Sequence, residues 1–175
     1  MMNNFPLQKR IILSIVSGAL IIPLSYLESF GEYSILDASI IDISIGTVFA
    51  LLVMLPLQKP FKIWKTLVMI IASVTTYVGV ANLAVKHYHL LLLDLSYDIG
   101  IIVSGALGAL ITGLVVHLIA PLNLSMKSYL MLLILGSISG YVFSLTIDSD
   151  SIFINAIGFI AWQVSVAISI YSSKR

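Results

Sequence analysis

Six apolar stretches of membrane-spanning length recur along this 175-residue chain, and they constrain its fold more than any other feature. A bilayer core about 30 Å thick needs roughly 17–25 apolar residues per helix, and a backbone in lipid must satisfy its own hydrogen bonds. The sequence therefore predicts an all-α, polytopic membrane protein with six transmembrane helices. The predicted helices run from Ile11 to Leu27, Ile41 to Leu57, Thr66 to Val85, Ile99 to Ala120, Tyr129 to Ile147 and Ile152 to Tyr171.

Composition supports a lipid environment and excludes several classes of protein. Hydrophobic residues make up 59% of the chain and charged residues 10%, and the mean hydropathy is +1.10. A soluble core of this size would lack a polar shell. The net charge of +1 argues against a nucleic-acid partner, which requires a basic face. The absence of cysteine excludes disulfides and thiolate chemistry.

The charges in the loops predict the orientation, because basic residues are retained on the cytoplasmic side during insertion. In the six-helix arrangement only one basic residue, Lys86, falls on the outer side. The sequence therefore predicts a multi-pass protein of the plasma membrane, or of the inner membrane in a Gram-negative cell, with both termini cytoplasmic. The inner basic residues are Lys9, Arg10, Lys59, Lys62, Lys65, Lys127, Lys174 and Arg175. The acidic residues, all on the outer side, are Glu28, Glu32, Asp37, Asp42, Asp94, Asp98, Asp148 and Asp150.

A hexamer is repeated about half the chain length apart. Ile15 to Leu20 in the first predicted helix is identical to Ile102 to Leu107 in the fourth, and a weaker likeness joins the second and fifth helices. Two halves of three helices each, 1–87 and 88–175 of one transmembrane domain, would then form a 3+3 inverted-topology repeat, an arrangement found in many transporters. The other interpretation is coincidence, because apolar helices draw on few residue types.

Small residues form rows on the fourth and fifth predicted helices. Close backbone approach through such rows drives helix association in lipid, so the fourth helix is predicted to be central. The rows serve either packing within the bundle or the docking of a partner protein. The predicted packing residues are Gly100, Ser104, Gly105, Gly108, Ala109 and Gly113 in the fourth helix, and Gly136 and Gly140 in the fifth.

A few polar side chains lie within or at the ends of the predicted helices, and polar groups at membrane depth are the first candidates for a functional site. The amides of Gln163, Asn82 and Asn155 are predicted to line a mostly neutral path. The alternative is that they form hydrogen bonds to neighbouring helices. The full set of candidates for the path is Gln163, Asn82, Asn155, Thr76, Asp42 and His117.

No pattern in the chain indicates an enzyme. Ser104 and His117 are 13 residues apart on one helix, roughly 20 Å along its axis, so they cannot form a catalytic dyad. No catalytic residue, cofactor or metal site is predicted, since the outer His87, His89, Asp94 and Asp98 are spaced for two different backbone conformations.

The expected function is that of a small-solute channel or transporter, with the bilayer and a small neutral solute as partners and no nucleic acid. The alternative is a non-catalytic membrane subunit or scaffold that docks another membrane protein through the small-residue faces. No sequence motif identifies the solute or the partner.

Overall fold

A computed structural model describes residues 7–28, 34–35, 38–55, 62–85, 97–120, 124–146 and 151–172. The fold is all-α and contains six apolar spans. The helices are α1 (Leu7–Ala19), α2 (Ile21–Glu28), α3 (Ile40–Phe49), α4 (Ile63–Val85), α5 (Tyr97–Ile119), α6 (Met126–Ser144) and α7 (Ile152–Ser172). Between α2 and α3, two-residue strands β1 (Ser34–Ile35) and β2 (Ala38–Ser39) pair antiparallel.

The spans form a closed ring in which neighbours in sequence are neighbours in space. Helix α1 contacts α3, each later span contacts the next, and α7 returns to contact α1 and α2. Among the described residues, five spans are long and apolar enough to cross a membrane. The sixth, built on α3, is a shorter apolar helix over Ile43–Met54. The six-helix prediction is confirmed, and the second helix is the short one.

The first span consists of α1 and α2, which are interrupted at Leu20. Proline at position 23 has no N–H to donate to the carbonyl of Ala19, and its ring crowds that carbonyl. Hydrogen bonds from Leu20 N to Val16 O and from Leu24 N to Leu20 O, each 3.2 Å long, carry the chain through the break. The interruption therefore lies about one turn before the proline.

The second span changes from α3 into a π-helix over Ala50–Met54. The wider turn is held by α7, because the Tyr171 hydroxyl donates a 2.9 Å hydrogen bond to the carbonyl oxygen of Val53. The Arg10 guanidinium lies over the Tyr171 ring, 3.4 Å from its centroid, which is cation–π geometry. One tyrosine thus joins the first, second and last spans at the same end of the ring.

We expect Tyr171→Phe to lower the free energy of unfolding by about 1 kcal/mol, because the buried Val53 carbonyl loses its hydrogen bond while the ring remains under Arg10. The measurement is SDS-induced unfolding of the purified protein in mixed micelles. Tyr141→Phe is the control, since Tyr141 on α6 is 52% exposed. Equal stability of the two variants would show that the hydroxyl does not hold the π-helix.

The described basic side chains gather at one end of the bundle. Lys62 and Lys65 lie at the start of α4, Lys127 at the start of α6, and Lys9 and Arg10 at the start of α1. The Lys65 ammonium donates a 2.7 Å hydrogen bond to the carbonyl of Ile119 at the end of α5, where the helix leaves carbonyls without intrahelical partners. Folding therefore brings these residues together as the topology predicted.

Helix α6 begins three residues earlier than predicted, at Met126, because Ser125 caps it. The Ser125 hydroxyl accepts a 3.3 Å hydrogen bond from the backbone N–H of Ser128, which satisfies one of the free donors of the first turn. The helix ends correspondingly earlier, at Ser144. The polar residues before the predicted start thus belong to the helix terminus.

The distribution of side chains is the reverse of that in a soluble protein. Large apolar residues in the middle of the spans face outward, and Ile71 and Ile138 are 64% and 53% exposed. Many hydroxyl side chains within the spans face inward, and Ser104 and Gln163 are completely buried. A water-exposed surface of this kind would be strongly unfavourable, whereas lipid tails solvate it well. The fold is therefore that of a membrane-embedded protein.

Candidate functional site

Helix α5 is the most buried of the five long spans. Over an 18-residue stretch of its span, 56% of the residues are buried, against 33% or fewer in the equivalent stretches of the other long spans. It contacts α4, α6 and α7. This central position agrees with the small residues along the helix, because each small residue allows a neighbouring backbone to approach.

One small-residue row of α5 packs against α6. A Cβ added at Gly105 would lie 2.6 Å from the carbonyl oxygen of Gly136 and 2.9 Å from the Cα of Gly140. A Cβ at Gly136 would lie 2.8 Å from the Cβ of Ala109, and Gly113 is covered by Leu132. These glycines therefore pack between α5 and α6 within the chain. At their positions the two helices are too close for a larger side chain.

The other row of α5 faces α4 and α7. A Cβ at Gly108 would lie 2.9 Å from Val80 Cγ2 on α4 and 3.3 Å from Trp162 Cζ2 on α7. Ser104 and Gly100, one and two turns earlier, are also buried. The two rows thus place α6 on one side of α5 and the α4–α7 pair on the other, and a space remains where the four helices meet.

A partly enclosed cavity of about 70 Å³ occupies this space. It lies in the half of the bundle away from the basic end, since its residues come from the second halves of α4 and α6 and the first halves of α5 and α7. Four of the eleven lining residues are aromatic, and small residues allow the space between their rings. The lining residues are Tyr77, Val80, Ile101, Ser104, Gly105, Ser139, Gly140, Phe143, Gly158, Phe159 and Trp162.

Contacts among the aromatic rings fix the wall of the cavity. Tyr77 stacks on Phe159 with ring centroids 5.7 Å apart and meets Trp162 edge-on at 5.4 Å. Phe143 meets Phe159 edge-on at 5.0 Å. The Trp162 indole N–H donates a 3.1 Å hydrogen bond to the carbonyl of Gly105, an oxygen that the nearby α6 glycines leave accessible. The indole nitrogen is thus hydrogen-bonded, and the carbon atoms of the ring line the cavity.

Ser104 supplies the polar group of the cavity. Its side chain is completely buried, and its hydroxyl has no hydrogen-bond partner. Ser139, the other lining serine, donates to the carbonyl of Gly136 at 2.9 Å and is satisfied within its own helix. A buried hydroxyl without a partner costs about 1–3 kcal/mol, so an occupant that forms a hydrogen bond with Ser104 gains that energy back.

The amides predicted to line a path are placed apart from this cavity. Gln163 is completely buried, and neither of its amide atoms has a hydrogen-bond partner. Asn155 is half-buried near the start of α7. Neither is among the residues that line the cavity. The side chains of Asn82 and Asp42 lie outside the described part of the structure.

Two further predicted residues have local roles in the structure. Thr76 is buried in α4 at 7% exposure, one residue before Tyr77. His117 lies at the basic end, where its Nδ1 accepts a 3.2 Å hydrogen bond from the backbone N–H of Leu124 and its ring contacts Tyr129. His117 therefore closes the connection between α5 and α6 and does not reach the cavity.

The repeated hexamers have partly similar surroundings. Ser17 and Ser104, at equivalent positions, are both completely buried with no hydrogen-bond partner. The glycines that follow them pack on different helices, Gly18 on Ile160 of α7 and Gly105 on α6. The inverted repeat is not shown by these contacts and stays a prediction.

Sequence reasoning placed Ser104 among packing residues and missed the aromatic wall. The positions of two aromatic residues could have indicated this wall. Tyr77 and Trp162 lie deep within their helices, away from the membrane interfaces where such rings are common. Comparison with known proteins adds no assignment, because no protein-family model, curated protein or solved structure matches this chain.

Proposed function

We propose that the protein is a non-enzymatic, multi-pass membrane protein. It binds a small uncharged solute in the cavity where α4, α5, α6 and α7 meet, and it moves this solute across the membrane. The observation that supports this proposal is the unpartnered Ser104 hydroxyl within an aromatic wall. Binding sites for small molecules combine apolar surface with a few such polar groups.

The chemistry of the wall limits the solute. One water molecule needs a cavity volume of about 10–15 Å³. A volume of about 70 Å³ therefore admits a solute of a few heavy atoms. None of the described lining residues is charged, and a charged solute would therefore lack a counter-ion. The matching solute has a small apolar body and one hydroxyl or amide group that can bond to Ser104.

The orientation and the path belong to the same proposal. The basic end faces the cytoplasm, by the insertion rule, and the cavity therefore lies toward the outer side of a plasma or inner membrane. Passage inward takes the solute past Trp162 toward Gln163, which is completely buried. If the two halves are inverted repeats, a change in their packing provides access from the other side.

The test is solute flux into proteoliposomes that contain the purified protein. A series of uncharged solutes, from urea and glycerol to short alcohols and amides, is compared with empty liposomes. We expect one size class to enter faster with the protein, and Ser104→Leu, which fills the cavity, to lower that flux at least tenfold. Thr75→Leu is the control, because Thr75 is exposed on the outside of α4.

Two results would contradict the proposal. The first is that no solute in the series enters faster with the protein than without it. The second is a protein-dependent flux that Ser104→Leu leaves unchanged while the variant remains folded by SDS-induced unfolding.

The alternative, a scaffold that docks a partner, is less well supported. Its docking surface was the small-residue faces of α5 and α6, and those faces are in contact with each other inside the chain. Among the described glycines, Gly79 on α4 has no atom near its added Cβ. A partner helix that docks through a described small-residue face is therefore left with little more than Gly79, so we place this function second.

A further inference from the structure

The two identical hexamers lie against the same turn of α7. The first contacts it through Gly18, whose added Cβ would be 2.8 Å from the Cα of Ile160. The second contacts it through the Gly105 carbonyl, which accepts the Trp162 N–H. Gln163 follows directly, completely buried and with both amide atoms unpartnered. This turn therefore carries an unsatisfied amide and contacts both hexamers, each of which contains an unsatisfied serine.

The register of α1 against α7 places Ser17 and Gln163 at nearly the same level of the bundle. The helices are antiparallel, since Gly18 lies at Ile160 and Arg10 lies at Tyr171. At 1.5 Å per residue, Ser17 and Gln163 differ in level by about 3 Å along the axes. Ile160 and Gln163 are three residues apart and thus share the face of α7 that meets α1.

The hydrogen-bonding groups of Ser17 and Gln163 restrict the kind of molecule that can satisfy both side chains. The Ser17 hydroxyl and the Gln163 amide each offer both donors and acceptors, and they do not bond to each other. A cation would satisfy only the oxygens and leave the amide N–H groups unpaired. A water molecule donates two hydrogen bonds and accepts two, so it can satisfy both side chains.

We propose that Ser17 and Gln163 form a buried binding site for an uncharged, water-sized molecule, occupied by water, in the interface of α1 and α7. The site is separate from the cavity, on the other side of Trp162, and its existence does not depend on transport. If the protein does transport a solute, this site is the next polar position inward from Ser104.

Hydrogen exchange at an introduced cysteine tests whether water reaches the site. The chain contains no cysteine, so each variant carries a single thiol. In heavy water a thiol proton exchanges for deuterium only where water reaches the thiol, and the S–H stretching band in the infrared spectrum records this exchange. We expect Ser17→Cys to exchange at least tenfold faster than Ser73→Cys. Ser73 is a suitable control because it is also buried, but its hydroxyl donates to the carbonyl of Gly46 at 2.8 Å.

A double-mutant cycle tests whether the two side chains share one occupant. Ser17→Ala, Gln163→Met and the double variant are unfolded with SDS. We expect the effects on the unfolding equilibrium constant to depart from multiplicativity by about fivefold, because each substitution also removes a partner of the shared water. Multiplicative effects would overturn the proposal, and so would thiol exchange of Ser17→Cys no faster than that of Ser73→Cys. The exchange measurement does not use Gln163→Met, and neither measurement depends on solute flux.

Discussion

Gly105→Ala is expected to lower the free energy of unfolding by about 3 kcal/mol, a large loss for the addition of one methyl group. The new Cβ would lie 2.6 Å from the Gly136 carbonyl oxygen and 2.9 Å from the Gly140 Cα. Both atoms belong to the backbone of α6, so no side-chain rotation relieves the overlap, and the two helices must separate. The measurement is SDS-induced unfolding of the purified variant in mixed micelles.

The matched control is Gly79→Ala on α4, where the added Cβ meets no atom within 4 Å. Alanine favours a helix over glycine by about 1 kcal/mol, so this variant should be as stable as the parent protein or more stable. If both variants lose the same stability, the loss comes from the helix backbone rather than from the α5–α6 interface. The close approach of these helices would then not be a main source of stability.

Trp162→Ala is expected to be comparably destabilising, by about 3 kcal/mol, because it removes the ring shared by both apolar clusters of the bundle. The indole packs 5.8 Å from the Phe49 ring centroid and 5.4 Å from that of Tyr77, and it donates to the Gly105 carbonyl. Moving the indole from lipid to the protein interior changes the free energy little, because both surroundings are apolar. The loss of stability therefore comes from the packing contacts that are removed and from the cavity that the indole leaves.

Trp162→Phe separates the ring from its hydrogen bond. Phenylalanine keeps most of the aromatic packing but cannot donate to Gly105, so a loss of about 1 kcal/mol is expected. In the flux measurement Trp162→Ala should also admit larger solutes, because the space of the indole joins the cavity. If Trp162→Ala unfolds like the parent protein, the indole is not a support of the cavity wall.

The candidate site was harder to predict than the spans. The amides attracted attention because a polar group in lipid is costly, yet the cavity lies beside aromatic rings and Ser104. The sequence shows that Gln163 lies deep within the last span but not which helix its side chain faces. His117 illustrates the same limit, since its role depends on Leu124, a neighbour that only the fold of the connection brings close.

Hydropathy and the distribution of charge alone determined the number of spans, their helical state and the gathering of the basic residues at one end. These features follow from the cost of placing backbone and charge in lipid, which acts on each segment separately. The tertiary structure decided which face of α5 meets α6 and where the cavity lies. It also decided that the second span widens into a π-helix at Val53. Those outcomes depend on the approach of distant backbones, which is set by the contacts of all neighbouring helices together rather than by any one segment.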